Sequence, residues 1–424
     1  MSIPVPAPHV ARFEQLGFGL FMHWGLYSLV GKGEWYMNTH HISREDYRPL
    51  MHEFKAEEFD ARAIARTAKA AGMKYITLTT RHHEGFSLYD TKGLNDYDAL
   101  HAPAGRDLIA EFVEGCRAEG IIPFFYHTTL DWMDPRFDTD FDAYLDYLYE
   151  SVRLLCTNYG EIGGLWFDGN WSRPHNDWKL DRLYGMIREL QPNAMIINNT
   201  GLDERGEISH PLVDSVTFEQ GRPTPMNREG MSKYVAAEMC MTINDHWGIG
   251  QTDFKYKSLP ELIECLCACR KVGANLLLNI GPTASGKLPT LPAALIEGIG
   301  EWISVCGKYI YTGKPLAATP VPAVEGRPVC GKDFMLDAGD HACLFVHDLS
   351  VHGSVNVTVD DGSIGEGVRA FDAPGLAGRT VKAVRWLDNG EVLNFRQDGN
   401  RLYVGCTNYP YGKQLVVRAA EIDF

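Results

Sequence analysis

Eight short apolar runs, each closing on polar residues and separated by segments with helical spacing, constrain this chain more than any other feature of its sequence. They are Phe18 to His23, Lys74 to Thr80, Ile121 to His127, Gly164 to Asp168, Ala194 to Asn198, Ser215 to Phe218, Ala236 to Ile243 and Leu276 to Ile280. Their near-continuous hydrophobicity is what parallel strands buried on both faces require, unlike the strict alternation of a half-solvated sheet. Between them, apolar residues return every three or four positions in Ala61 to Ala71, Asp107 to Glu119, Phe141 to Thr157, Leu180 to Leu190 and Leu259 to Val272, the pattern of amphipathic helices. Eight strands alternating with helices predict a closed (β/α)8 barrel over residues 1–312.

After about residue 312 the period changes. His341 to His347, Ser354 to Val359, Val381 to Trp386, Leu393 to Phe395, Arg401 to Val404 and Gln414 to Val417 read as short strands, divided by the turn pairs Asp361-Gly362, Asn389-Gly390 and Asp398-Gly399. They predict a small antiparallel β-sandwich over residues 313–424, with the boundary near Gly313-Lys314-Pro315-Leu316. A chain of 424 residues exceeds what one core usually organises, which agrees with two domains.

Composition narrows the function classes. The net charge is -15 and no run of five or more like charges occurs, so nucleic acid is not an expected partner. The sequence has no uncharged apolar stretch long enough to span a bilayer, and its first residues, Met1 to Pro6, lack a basic segment followed by an apolar one. A cytoplasmic protein without a membrane partner is expected. In that compartment the ten cysteines read as buried thiols. Cys265, Cys267 and Cys269 alternate within a helical segment, where no CxxC pair or nearby histidine completes a zinc geometry.

Barrel enzymes hold their catalytic groups at the carboxyl ends of the strands, and here those ends are polar. They read His23-Trp24-Gly25, Arg81-His82-His83-Glu84, Tyr126-His127, Trp166-Phe167-Asp168-Gly169, Asn198-Asn199 and Phe218-Glu219-Gln220, with Glu34-Trp35 in the loop after the first. One polar strand end could cap a helix or join a turn; six together point to a site. Cleaving a glycoside through a covalent intermediate needs an ionised carboxylate to attack the anomeric carbon and a protonated group for the departing oxygen. Asp168 and Glu219 fit that division, against the plainer roles of helix cap and rim salt bridge. Two histidine pairs, His40-His41 and His82-His83, raise a metallohydrolase instead, but neighbours on a strand point to opposite sides and no HxH or HExxH spacing follows. Neither a metal nor a cofactor is expected.

Five motifs in register resemble glycoside hydrolase family 29, the α-L-fucosidases, from about Phe18 to Pro282. They are Phe21-Met22-His23-Trp24-Gly25, Gly33-Glu34-Trp35-Tyr36, Thr80-Arg81-His82-His83-Glu84-Gly85-Phe86, Gly164-Leu165-Trp166-Phe167-Asp168-Gly169 and Leu278-Asn279-Ile280-Gly281-Pro282. The resemblance implies Asp168 as nucleophile, with His23, Glu34, Trp35, His82, His83 and Tyr126 around the fucose. It also implies a companion β domain. The proton donor it leaves between Glu219 and Glu238, which also matches a family signature; Glu219 is favoured because it ends a strand whereas Glu238 begins one. The methyl of a 6-deoxy sugar needs an apolar wall, for which Trp166 and Trp247 are the candidates. Many family members carry an arginine soon after the fifth-strand asparagine pair; here Thr200-Gly201 follows, and Arg205 comes later. The expected activity is that of a retaining exo-α-L-fucosidase acting on fucosylated oligosaccharides or glycoconjugates. The alternatives are a glycosidase for another α-linked sugar and a catalytically silent fucose-binding protein. The β domain offers surface for a homo-oligomer.

Overall fold

The structure, a computed structural model, describes residues 2–326, 328–349, 367–409 and 416–424. By contacts the chain forms two compact units, Met1–Lys257 with Ala274–Glu297, and Ser258–Gly273 with Gly298–Phe424.

In the first unit β1 (Phe18–Met22), β2 (Tyr75–Arg81), β3 (Ile122–Thr128), β4 (Gly164–Asp168), β5 (Met195–Asn198), β6 (Ser215–Glu219), β7 (Ala236–Thr242) and β8 (Asn275–Ile280) close into one barrel in chain order. All neighbours pair in parallel, and β8 returns to β1 through Phe18↔Leu276 to Met22↔Ile280. All eight expected runs are strands, with ends shifted by no more than a residue or so. Phe21, Tyr75, Phe124, Tyr126, Trp166, Ile197 and Leu277 belong to one buried cluster that fills the barrel.

A helix at Pro8–Leu16, absent from the periodicity reading, adds Val10 and Phe13 to that cluster. The Phe13 ring lies 5.8 Å from that of Tyr75 and 5.9 Å from that of Phe124, residues near the starts of β2 and β3. The amino-terminal mouth is therefore plugged, and the carboxyl mouth is left to carry the site. The helices Ala61–Ala70, Leu108–Glu119, Phe141–Asn158 and Leu180–Leu190 fall where the 3.6-residue period places them. Asp60, Asp107 and Asp140 start the first three by accepting hydrogen bonds from first-turn amides.

The second unit contains two antiparallel sheets. One orders Thr319–Val321, Gly367–Asp372, Arg401–Cys406 and Phe395–Asp398; the other orders Ala383–Trp386, Arg418–Asp423, His341–Val346, Phe334–Asp337 and Lys314–Leu316. Phe371, Leu402 and Val404 of the first share a core with Leu344, Trp386 and Ile422 of the second, so the sheets form a sandwich. The helix Leu259–Lys271 groups with these strands, where Arg270 Nε donates 2.9 Å to the Ile310 carbonyl. The periodicity reading counts that helix with the barrel's outer ring and divides the chain near residue 313. Three further expectations need correction or limits. Ser354 to Val359 and Asp361-Gly362 lie outside the described residues, as do positions 414 and 415. The last strand is Arg418–Asp423, beginning after Val417. Leu393 precedes its strand, which is Phe395–Asp398, and packs into the sandwich core. All ten cysteines are buried free thiols. Among the described residues no helix is long and apolar enough to cross a membrane.

Candidate active site

β4 delivers Asp168 as its last residue, and the chain must then turn sharply. Gly169 adopts φ +113°, and a Cβ there would lie 2.7 Å from the Leu130 Cβ and 2.8 Å from its backbone nitrogen, so only glycine fits. The turn passes into a 3-10 segment, Asn170–Ser172, that brings Trp171 back onto the carboxylate. Asp168 Oδ1 accepts from Trp171 Nε1 at 2.8 Å and from Asn199 Nδ2 at 3.2 Å. Oδ2 accepts from Tyr126 Oη at 3.0 Å and lies 3.5 Å from His83 Nε2. Burial pushes this carboxyl's pKa up, but His83, Trp171 and Asn199 together outweigh it and hold the group below its ordinary value. Asp168 is thus an oriented anion at neutral pH.

Glu219 ends β6, and its Oε2 accepts from the same Asn199 Nδ2 at 2.8 Å. Thr217 Oγ1 donates to Asn199 Oδ1 at 2.9 Å, which turns the amide nitrogen toward the acids. The 3.2 and 2.8 Å bonds to one nitrogen place those two carboxylate oxygens no more than 6.0 Å apart. Burial, and then the Asp168 charge, push Glu219 up to about 7 against the pull of Asn199 and Arg205. One acid is held ionised while its neighbour can carry a proton at neutral pH, the separation of roles that acid-base chemistry requires. Arg205 does reach this strand end: its Nε donates 2.5 Å to the Glu219 backbone carbonyl.

Glu238 sits apart from this pair. It is the third residue of β7, level with Thr217 and Asn275, and is enclosed in the barrel. Its Oε1 accepts from Trp166 Nε1 at 2.9 Å and its Oε2 from Tyr75 Oη at 2.5 Å, and burial pushes its pKa up to about 7.

The remaining expected residues gather around the same strand ends. His23 Nδ1 lies 2.7 Å from Asn279 Oδ1, and Asn279 Nδ2 donates 2.7 Å to the Trp247 carbonyl. That amide orientation makes Nδ1 the protonated nitrogen of His23 and leaves Nε2 as an acceptor. Burial lowers the His23 pKa to about 3, so the ring is neutral. Glu34 is buried, accepts from the Gly248 amide at 2.7 Å, and is pushed up by that burial. His82 and His83 correct an expectation: they follow β2 in a turn, and their rings lie 4.2 Å apart rather than on opposite sides of a strand. His82 stacks on Tyr126 at 5.6 Å, while His83 Nδ1 lies 2.7 Å from Thr128 Oγ1. Trp35 meets His83 edge-on at 5.7 Å and stacks on Trp171 at 6.0 Å. Of the two tryptophans considered for an apolar wall, Trp166 is only 2% exposed and lies stacked on Tyr126 at 5.6 Å, forming floor. Trp247 is half-buried beside His23 at 5.0 Å and Phe21 at 5.8 Å.

With this geometry in place, the family model described as Alpha-L-fucosidase matches residues 5–308. The chain belongs to the α-L-fucosidase family. Its members are glycoside hydrolases, and this family member is an enzyme of that class. The structure of alpha-L-fucosidase isoenzyme 1 from Paenibacillus thiaminolyticus is similar at 31% identity and a TM-score of 0.78, over 98% of each chain. A family 29 α-L-fucosidase from Bacteroides thetaiotaomicron, solved as a trapped covalent intermediate with 2-fluoro-fucosyl fluoride, shares the fold at 23% identity and a TM-score of 0.82, over 100% of this chain and 97% of that one. Human plasma alpha-L-fucosidase is 28% identical over 340 residues, 71% of this chain and 69% of that protein.

In this fucosidase family member, motif reading left Asn199, Trp171 and Asn279 without roles. Asn199 was visible as a polar strand end, and Asn279 lies inside the motif Leu278-Asn279-Ile280-Gly281-Pro282. Trp171 carried no spacing signal, because its return to Asp168 depends on the backbone of Gly169.

Proposed function

We propose that this chain hydrolyses terminal α-L-fucosyl residues by double displacement with net retention of configuration. Asp168 attacks the anomeric carbon and the leaving oxygen takes its proton from Glu219. Glu219, now ionised, deprotonates the water that releases fucose from the Asp168 ester. The observation carrying this reading is the Asn199 nitrogen shared by both acids. That nitrogen draws one oxygen of each acid to within 6.0 Å, a close pairing that suits the roughly 5 to 5.5 Å carboxyl spacing of retaining sites better than the roughly 6.5 to 9.5 Å that leaves room for a water beside the base of an inverting one. The covalent intermediate trapped in the Bacteroides thetaiotaomicron relative supports the same chemistry.

The surroundings suit one fucose unit. His23, Glu34, His82 and His83 supply directed hydrogen bonds to ring hydroxyls, and the half-buried Trp247 ring offers an apolar face for the 6-methyl group. The floor of Phe21, Tyr126 and Trp166 rings, 5.0 to 5.9 Å apart, stops a glycan from threading deeper, which favours removal of a chain end.

The test is chemical. Incubation with 2-deoxy-2-fluoro-fucosyl fluoride should add one fucosyl unit to the peptide containing Asp168, read by mass spectrometry. Asp168→Ala should lose turnover and regain part of it with azide or formate, which fill the space of the missing carboxylate. No adduct on Asp168 together with no rescue would sink the covalent route.

A further inference from the structure

Glu84 closes the Arg81-His82-His83-Glu84 run, and neither the acid pair nor the ring contacts employ it. It is 0% exposed, and neither carboxyl oxygen has a hydrogen-bond partner of ordinary geometry. Its Oε2 lies 3.7 Å from His82 Nδ1, a nitrogen that is itself enclosed and lacks a hydrogen-bond partner. The fold makes room for this carboxyl: a Cβ on Gly25 would stand 2.5 Å from Glu84 Oε1. Facing it are the enclosed hydroxyls of Tyr27, Tyr47 and Tyr97, with Arg81 and Asp131 as its charged neighbours. Arg81 commits its guanidinium elsewhere, donating to Tyr147 Oη and Ser151 Oγ and facing His127 Nε2. Burial therefore dominates and pushes Glu84 up to about 8, despite the Leu26 amide and Arg81. Burial also lowers His82 well below its ordinary value, with His83 and His23 adding to it, so that ring holds a single proton whose position must be chosen.

We propose that Glu84 is a neutral acid that keeps its proton and donates a hydrogen bond through it to His82 Nδ1, fixing His82 in the tautomer whose Nε2–H is offered to the sugar. Glu84 is thus a positioning residue acting through His82, and the inference rests on His82 facing the fucose. An approach of about 1 Å, within the reach of a glutamate side-chain rotation, brings the pair to bonding distance. Ionising Glu84 reverses the polarity, because a carboxylate accepts from Nδ1–H and leaves Nε2 as an acceptor. Fucose affinity should therefore fall as pH rises past about 8, on a limb that belongs to binding rather than to kcat.

The experiment compares Glu84→Gln, whose amide can still donate to Nδ1, with Glu84→Leu, which cannot. Fucose is the probe, as a competitive inhibitor of aryl fucoside turnover across pH, and the His82 tautomer is read by long-range 1H–15N NMR on the wild-type enzyme. Glu84→Gln should keep the inhibition constant within about 3-fold at neutral pH and lose its alkaline limb; Glu84→Leu should raise it about 10-fold with a smaller effect on kcat. Equal losses in both variants, or an Nδ1-protonated His82 in the wild type, would overturn the assignment. The NMR reading stands even if Glu84→Leu does not fold. A wild-type enzyme that turns over no aryl fucoside would instead refute the fucosidase reading, leaving the tautomer measurement to judge this one.

Discussion

Deleting the Asn199 amide should move the whole pH-rate profile to higher pH. In the wild type one nitrogen donates 3.2 Å to Asp168 and 2.8 Å to Glu219, and it lowers the pKa of both. Asn199→Ala removes both bonds but leaves Asp168 with Trp171 and Tyr126. A hydrogen bond to a charged group contributes roughly 1.5 to 3 kcal/mol, so a nitrogen divided between two acceptors gives each on the order of 1 kcal/mol. At about 1.4 kcal/mol per pH unit, each limb should move by roughly 0.5 to 1 unit. The direction follows from the roles. Under the proposed roles turnover needs Asp168 ionised and Glu219 protonated, so a raised Asp168 pKa carries the acid limb upward, and raising Glu219 beyond its value of about 7 carries the alkaline limb the same way. The bell translates instead of narrowing. Its height should fall roughly 10- to 100-fold, because Asp168 loses a locating contact. The assay is kcat/KM on an aryl α-L-fucoside across the pH range, with circular dichroism as a check on folding. An alkaline limb that stays put or falls while the acid limb rises would refute the shared-nitrogen account of the acid pair.

Three further substitutions probe neighbouring claims. Glu219→Ala should cost roughly 100- to 10,000-fold on substrates with poor leaving groups and far less on activated aryl fucosides; that signature in Glu238→Ala would exchange the two roles. Glu238→Ala strands the Trp166 and Tyr75 donors in the barrel interior, so it should lower unfolding free energy by about 2 to 4 kcal/mol in urea titration, and a neutral result would contradict its structural placement. Gly169→Ala forces a side chain against Leu130 at positive φ, and should destabilise by roughly 1 to 3 kcal/mol while displacing Asp168; wild-type kcat and stability would show that the turn is not required.

Much of the barrel was legible because its strands are buried on both faces. Phe18–Met22 and Gly164–Leu165-Trp166-Phe167 have no solvent side, so their sequences carry no polar interruption and stand out against the helices between them. The short helix Pro8–Leu16 escaped notice since only Val10 and Phe13 are buried, too few to establish a period. Phe334–Asp337 and Gly367–Asp372 were likewise missed, being strands of four and six residues whose character comes from their partners. The grouping of Leu259–Lys271 with the β sheets was also hidden, because amphipathic spacing states that a helix has a buried face without saying what covers it.

The sequence by itself determined where the two acids would emerge: a strand end in a parallel barrel projects its last residues into the mouth, so chain position alone puts Asp168 and Glu219 on one rim. What it could not contain was their difference in charge. That difference arises from groups distant in sequence: Tyr126 and His83 on one acid, Asn199 on both, and the Asp168 field acting on Glu219. Ionisation responds to distance and burial, and those exist only once β2 through β6 have closed around a common centre.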